Sequence, residues 1–139
     1  MQKLILPILC GVFALFFSGT PITKHNNCGP FLTINNLSGG AGTIGVTSVV
    51  IHNSTTGVTT TYNSPTFPFN HNEEGGTISV TYNFDGTYNG CWVTSPPCNA
   101  GSFTNKTSVT LVITEFNCDI FTFQINRRAS GQACFQCAP

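Results

Sequence analysis

Apolar and polar side chains alternate most regularly in residues 77–84 of the chain. Ile78, Val80, Tyr82 and Phe84 are separated there by Thr, Ser and Asn residues. Because successive side chains of a β-strand point to opposite faces, this alternation predicts a strand with one buried and one solvated face.

The same pattern recurs in residues 108–116 and 120–125, which residues 117–119 connect as a turn. Asp85-Gly86 is a typical two-residue hairpin signal, so residues 87–93 are predicted as a return strand. The alternation predicts a core that contains Ile78, Val80, Tyr82, Phe84, Val109, Leu111, Ile113, Phe121, Phe123 and Ile125.

Earlier strands are predicted at residues 31–37, 43–52 and 58–63, with a short edge segment at 67–69 because Pro68 cannot donate to a ladder. Seven or eight short strands with frequent turns are typical of a β-sandwich or small barrel. We therefore expect an all-β fold, specifically one antiparallel, immunoglobulin-like sandwich. A closed barrel is the alternative.

Residues 1–20 have the features of a signal peptide. Lys3 precedes a short apolar run, and small residues follow that run. The run is shorter than the roughly 20 residues that a membrane-spanning helix needs. We expect a leader that ends near residue 20, a single domain over residues 21–139 without a membrane span, and a secreted, periplasmic or cell-surface location. Its tail, from about residue 127, is predicted to be irregular and tied down by cysteines.

The expected mature chain carries an even number of cysteines, which favours disulfides in an exported protein. These disulfide candidates are Cys28, Cys91, Cys98, Cys118, Cys134 and Cys137. Six cysteines permit 15 pairings. The Ser-Pro-Pro turn between Cys91 and Cys98 makes that pair the preferred single prediction. Cys28 with Cys118 would close a longer loop, and Cys134 and Cys137 pair with each other or exchange with the others.

The Cys134-x-x-Cys137 motif also occurs in redox enzymes and zinc sites. Here no βαβ pattern follows it, and the three histidines are scattered along the chain. We therefore expect no catalytic thiol, no metal and no cofactor.

Charged residues are only 7% of the chain, with five Lys and Arg against five Asp and Glu. Without the leader the balance is four against five, about minus one. A chain without a basic stripe lacks the main driving force for nucleic-acid binding. Glu73 and Glu74 are the only adjacent acids, and neighbours in an extended chain face opposite ways. Catalytic groups are therefore too few and too scattered, and we expect a protein that is not an enzyme.

Two groups of residues are candidates for binding. Asn70, His71, Asn72, Glu73 and Glu74 offer oxygen ligands for calcium, with Asp85 or Asp119 as further ligands, although a polar turn is the preferred interpretation. Tyr62, Tyr88 and Trp92 are candidate ligand contacts, on which sugar rings would stack, although core packing is preferred for the aromatic residues as a set.

The expected function is non-catalytic. The domain binds an extracellular protein or glycan surface, or contributes to an extracellular structure. One alternative is a secreted inhibitor that presents a cross-linked loop from Cys91 to Cys98, and a second is a small carbohydrate-binding module. A buried Trp92 would be ordinary core, so it would argue against both the inhibitor loop and a sugar-stacking platform at that residue.

Overall fold

The computed structural model describes residues 31–73, 75–116, 120–134 and 137. In these residues the fold is all-β. The strands are β1 (Phe31–Leu37), β2 (Val46–Asn53), β3 (Thr59–Asn63), β4 (Phe69–Asn72), β5 (Gly76–Ser95), β6 (Asn99–Phe116) and β7 (Phe121–Arg127). None of the described residues forms a helix, so there is no helical membrane span within those ranges. The predicted leader, Cys28, Cys118 and the turn at 117–119 lie outside the described residues.

The buried residues agree with the alternation in the sequence. Every predicted core side chain is buried except Val109, which is partly buried against the same core. Leu32, Ile34, Val49 and Ile51 of the earlier strands complete one continuous apolar cluster. Local alternation was sufficient to predict this burial because one face of each strand packs inward.

The sheet is mixed, in contrast to the antiparallel prediction. Its strand order is β3-β2-β5-β7-β1-β4, with β6 paired to β5 as well, and β1 runs parallel to β7. Ile34 lies opposite Phe123 in that parallel pair. The prediction was wrong on strand direction because alternation sets which face of a strand is buried, whereas long-range contacts set which strand lies beside it and in which direction.

The long strand β5 curls the sheet around its core. Its first part pairs with β2, its last part pairs with β7, and β6 follows both parts. The register shifts between Asn83 and Gly90, where the sheet bends. The hydroxyl of Tyr82 reaches the carbonyl oxygens of Phe123 at 3.0 Å and Asn35 at 3.2 Å. The described strands therefore form one connected, curled sheet whose two halves share a core, and not a clear immunoglobulin-like sandwich.

The predicted hairpin at Asp85-Gly86 is wrong, because both residues lie inside β5. The backbone N–H of Asp85 donates to the Gly45 carbonyl at 3.0 Å, and the Tyr88 hydroxyl donates to the Asp85 carboxylate at 2.6 Å. These contacts hold the irregular segment as a bend. The chain reverses between Ser95 and Asn99 instead, at the Pro-Pro-Cys segment that separates β5 from β6.

Candidate binding cleft

Two disulfides tie the C-terminal tail to the β5–β6 hairpin. They join Cys91 to Cys134 and Cys98 to Cys137. The predicted bond between Cys91 and Cys98 is therefore wrong. In the hairpin register Cys91 lies opposite Ser102, whereas Cys98 lies in the turn, so the two cysteines are separated along the hairpin. The Cys-x-x-Cys pair of the tail likewise does not close on itself.

The tail packs on the outer face of the hairpin. Trp92, which follows Cys91, packs against the apolar core, so the side chain of Cys91 points to the opposite face and reaches the tail there. The backbone N–H of Arg128 donates to the Asn89 carbonyl at 2.9 Å. In its described part the tail after β7 has no helix or strand, and Cys134 and Cys137 tie it down.

A cleft of about 470 Å³ separates the tail from the start of β6. Asn99, Ala100 and Ser102 line it from β6, and Arg128 lines it from the tail. Cys98, Cys134 and Cys137 place both disulfides at its border. A volume of this size lies within the range of small-ligand sites. We call this feature the tail cleft.

Arg128 supplies the charge of the tail cleft. Its Nη2 donates to the Thr104 hydroxyl at 3.3 Å, and its Nη1 makes only a weak contact with the Cys134 sulfur at 3.9 Å. Its Nε is buried and has no hydrogen-bond partner. No carboxylate is among the described residues that line the cleft. Among the described residues of the lining, the guanidinium therefore has no counter-charge, and its Nε makes no hydrogen bond.

In the tail cleft, the polar side chains of the described lining are hydrogen-bond donors. Its described lining offers a guanidinium, an amide and a hydroxyl, all of which donate hydrogen bonds. It offers neither a histidine nor a carboxylate for proton transfer, and its cysteines are oxidised. Arg128 was not among the residues that the sequence singled out. Arg128 lies six residues before Cys134 in the sequence. This short separation is the feature that would have placed Arg128 beside a tail held by disulfides.

Trp92 lies on the core face of the sheet, away from the tail cleft. It is partly buried against the apolar cluster. Its ring covers Gly101, where an added Cβ would come within 2.6 Å of the indole. The inhibitor alternative assumed that a disulfide closes the loop between Cys91 and Cys98 and that Trp92 is exposed on it. Neither assumption agrees with the structure.

Tyr88 is held among side chains at the bend of β5. Its hydroxyl bonds to Asp85, its ring meets Phe84 edge-on at 5.8 Å, and the Arg127 guanidinium lies 5.1 Å above the ring. Arg127 and Arg128 are neighbours in sequence, but they contact different groups, and Arg127 does not line the tail cleft.

Tyr62 belongs to a hydrogen-bonded chain that the sequence did not predict. Its hydroxyl lies 2.7 Å from His71 Nδ1, and His71 Nε2 lies 3.2 Å from Glu73 Oε2. The Asn53 side-chain amide donates to Glu73 Oε1 at 3.1 Å. These contacts join the outermost strands β3 and β4. Tyr62, Tyr88 and Trp92 therefore occupy three different environments, and none of them lines the tail cleft.

The predicted calcium loop is partly strand. Phe69–Asn72 forms β4, and the Glu73 carboxylate already bonds to His71 and Asn53. The carboxylate of Asp85 bonds to Tyr88. Glu74 and Asp119 lie outside the described residues. Among the residues that are described, no three His, Cys, Asp or Glu side chains form a group that would hold a metal ion.

The tail cleft is a concave site in the described part of the chain. Its walls come from β6 and the tail, and the two disulfides fix one against the other. Comparison with known proteins finds no matching family model, no matching curated protein and no matching solved structure. A function for the cleft is therefore inferred from its geometry.

Proposed function

We propose that this protein is a non-catalytic extracellular binding domain that takes its ligand in the tail cleft. The observation that carries the proposal is the composition of the cleft. Its described lining has hydrogen-bond donors and one cation, but no histidine or carboxylate to transfer protons. The cleft is therefore equipped to recognise a ligand and not to transform it.

An extracellular or periplasmic location is supported by the disulfides and by the leader-like residues 1–20. Disulfides persist in oxidising compartments and are rare in the reducing cytoplasm. Both described disulfides border the cleft, so its shape depends on that oxidising environment.

A glycan segment is the ligand that the tail cleft supports best. The cleft volume of about 470 Å³ suits a small ligand or the end of a chain, and is small for a folded partner. Asn99 and Ser102 offer neutral hydrogen bonds of the kind that sugar hydroxyls accept and donate. This mode of recognition differs from the predicted aromatic platform, because none of the three aromatic candidates lines the cleft.

A glycan array with matched tryptophan variants tests the proposal. Ser102 and Ser108 are both exposed positions of β6, six residues apart, and only Ser102 lines the cleft. Six residues of a strand span about 20 Å. We expect the wild-type chain and S108W to bind the same glycans, and S102W to lose them because the indole fills the cleft.

Two results would contradict the proposed function. One is equal binding by S102W and the wild-type chain, since the ligand would then lie elsewhere. The other is hydrolysis of a bound glycan that Glu73→Gln or Asp85→Asn abolishes, because the domain would then be an enzyme with its site outside the cleft.

A further inference from the structure

We infer that the ligand of the tail cleft is a monoanionic saccharide, a sugar that carries one carboxylate or one sulfate monoester, and that Arg128 binds its anionic group. This inference rests on the proposed function and specifies its ligand class. The other groups that line the cleft would contact the neutral hydroxyls of the same sugar.

The described protein groups engage only part of the hydrogen-bonding capacity of Arg128. A guanidinium has five N–H donors. Only the bond to Thr104 at 3.3 Å is within ordinary hydrogen-bond distance, since the contact with the Cys134 sulfur is 3.9 Å. The buried Nε has no partner. A partly buried cation with no carboxylate among the described residues that line its cleft gains from an anion.

The charge balance favours one negative charge on the ligand. Arg128 is the only cation among the described residues that line the cleft. The expected mature chain carries about one net negative charge, so no wider positive field would attract a dianion. A single planar guanidinium matches a single carboxylate or sulfate group, to which it can offer two parallel hydrogen bonds.

The remaining lining favours a saccharide as the carrier of that charge. Asn99 contributes an amide that both donates and accepts, and Ser102 contributes a hydroxyl that does the same. Ala100 leaves space between these groups, because its side chain is a single methyl group. Neutral hydrogen-bonding groups around one cation are complementary to a ring of hydroxyls with one acidic substituent.

The first experiment compares four small probes by calorimetry: glucose, glucuronate, glucose 6-sulfate and glucose 6-phosphate. We expect glucuronate or glucose 6-sulfate to bind at least about tenfold more tightly than glucose, and also more tightly than the dianionic phosphate. This preference should weaken as salt is added, because ionic contacts are screened. Which of the two monoanions binds better identifies the acidic group.

The second experiment uses the neighbouring arginines as a matched pair. Arg128→Gln and Arg127→Gln remove the same charge from the chain, but only Arg128 lines the cleft. We expect R128Q to bind glucuronate and glucose equally, and R127Q to keep the wild-type preference. R128K keeps the charge but lacks the planar fork, so we expect an intermediate preference. Far-UV circular dichroism and the mass of the oxidised chain check that each variant folds. The four-probe comparison uses only the wild-type chain, so it tests the inference even if a variant fails to fold.

Equal wild-type affinity for glucose and the two monoanions would overturn the inference, as would equal loss of the preference in R127Q and R128Q. These failures are distinguishable from failure of the proposed function. If S102W loses neutral and acidic sugars alike while the wild-type chain shows no preference, the cleft binds glycans and the inference about charge is wrong.

Discussion

At the scale of single residues, Tyr82 joins the two halves of the sheet. Its side chain is fully buried, and its hydroxyl bonds to carbonyl groups of β1 and β7. Burial raises the pKa of Tyr82 well above its usual value, and the hydrogen bond to the Asn35 carbonyl has a smaller effect. The folded state therefore holds the phenol proton more strongly than the unfolded chain does.

This pKa shift predicts that the protein loses stability in alkali. Below pH 10 the phenol is protonated in both states, so Tyr82 adds no pH dependence there. Above pH 10 the unfolded state releases the proton and the folded state keeps it, which lowers the free energy of unfolding by up to about 1.4 kcal/mol per pH unit. Urea denaturation from pH 8 to 11 measures this slope.

Tyr82→Phe is the variant that isolates the effect. We expect it to cost about 1–3 kcal/mol at pH 8, because buried carbonyl groups lose a donor. Above pH 10 its free energy of unfolding should fall less steeply with pH than that of the wild-type chain, by up to about 1.4 kcal/mol per pH unit, which is the contribution of one proton. Identical slopes in the two chains would show that Tyr82 is not the group responsible.

At the scale of elements, the disulfides turn an irregular tail into one wall of a cleft. The tail has few backbone hydrogen bonds of its own in its described part, one of them from Gln132 to Ala129 at 3.1 Å. Cys134 and Cys137 anchor it at two points to one hairpin. A tail with two anchors is fixed in orientation, whereas one with a single anchor can rotate about it.

We therefore predict that the double variant C98S/C137S loses ligand binding while the core stays folded. Because the Cys91–Cys134 bond still closes the large loop, removal of the second bond costs about 3 kcal/mol on the chain-entropy model. Glycan binding and urea denaturation of the same preparation measure the two effects. Wild-type affinity in this variant would mean that the second anchor does not shape the cleft.

At the scale of the whole molecule, the curled sheet brings its outermost strands together. Tyr62 of β3 lies 4.6 Å from the ring of Phe69 in β4, and it bonds to His71 of the same strand. The sheet order places β3 and β4 at opposite ends of the pairing path. Side chains, rather than a backbone ladder, therefore link these two strands.

Tyr62→Phe removes only the hydroxyl from this link. We predict a loss of about 1 kcal/mol in the free energy of unfolding, with faster amide exchange in β3 and β4 than in β1 and β7. Tyr88→Phe is the matched control, since the Tyr88 hydroxyl bonds to the exposed Asp85, and we expect it to cost less than about 0.5 kcal/mol. Equal effects of the two variants would show that the link between β3 and β4 has no special role.

The sequence alone predicted most of the strands and the inward face of residues 78–84, 109–113 and 121–125, although it split β5 into two strands and missed the first half of β6. Ile78, Val80, Leu111 and Phe123 were placed in the core because burial of one face imposes a period of two on each strand. These are local properties, and each can be read from a few neighbouring residues.

Only the tertiary structure decided which elements meet. Alternation is the same for parallel and antiparallel neighbours, so it did not show that β1 runs parallel to β7. Asp85-Gly86 has the chemistry of a turn, but the pairing of β5 with β2 and β7 keeps it within a strand. Cysteine spacing did not choose among 15 pairings, because a disulfide joins residues that folding brings together. Arg128 gained its position in the cleft from those same long-range contacts.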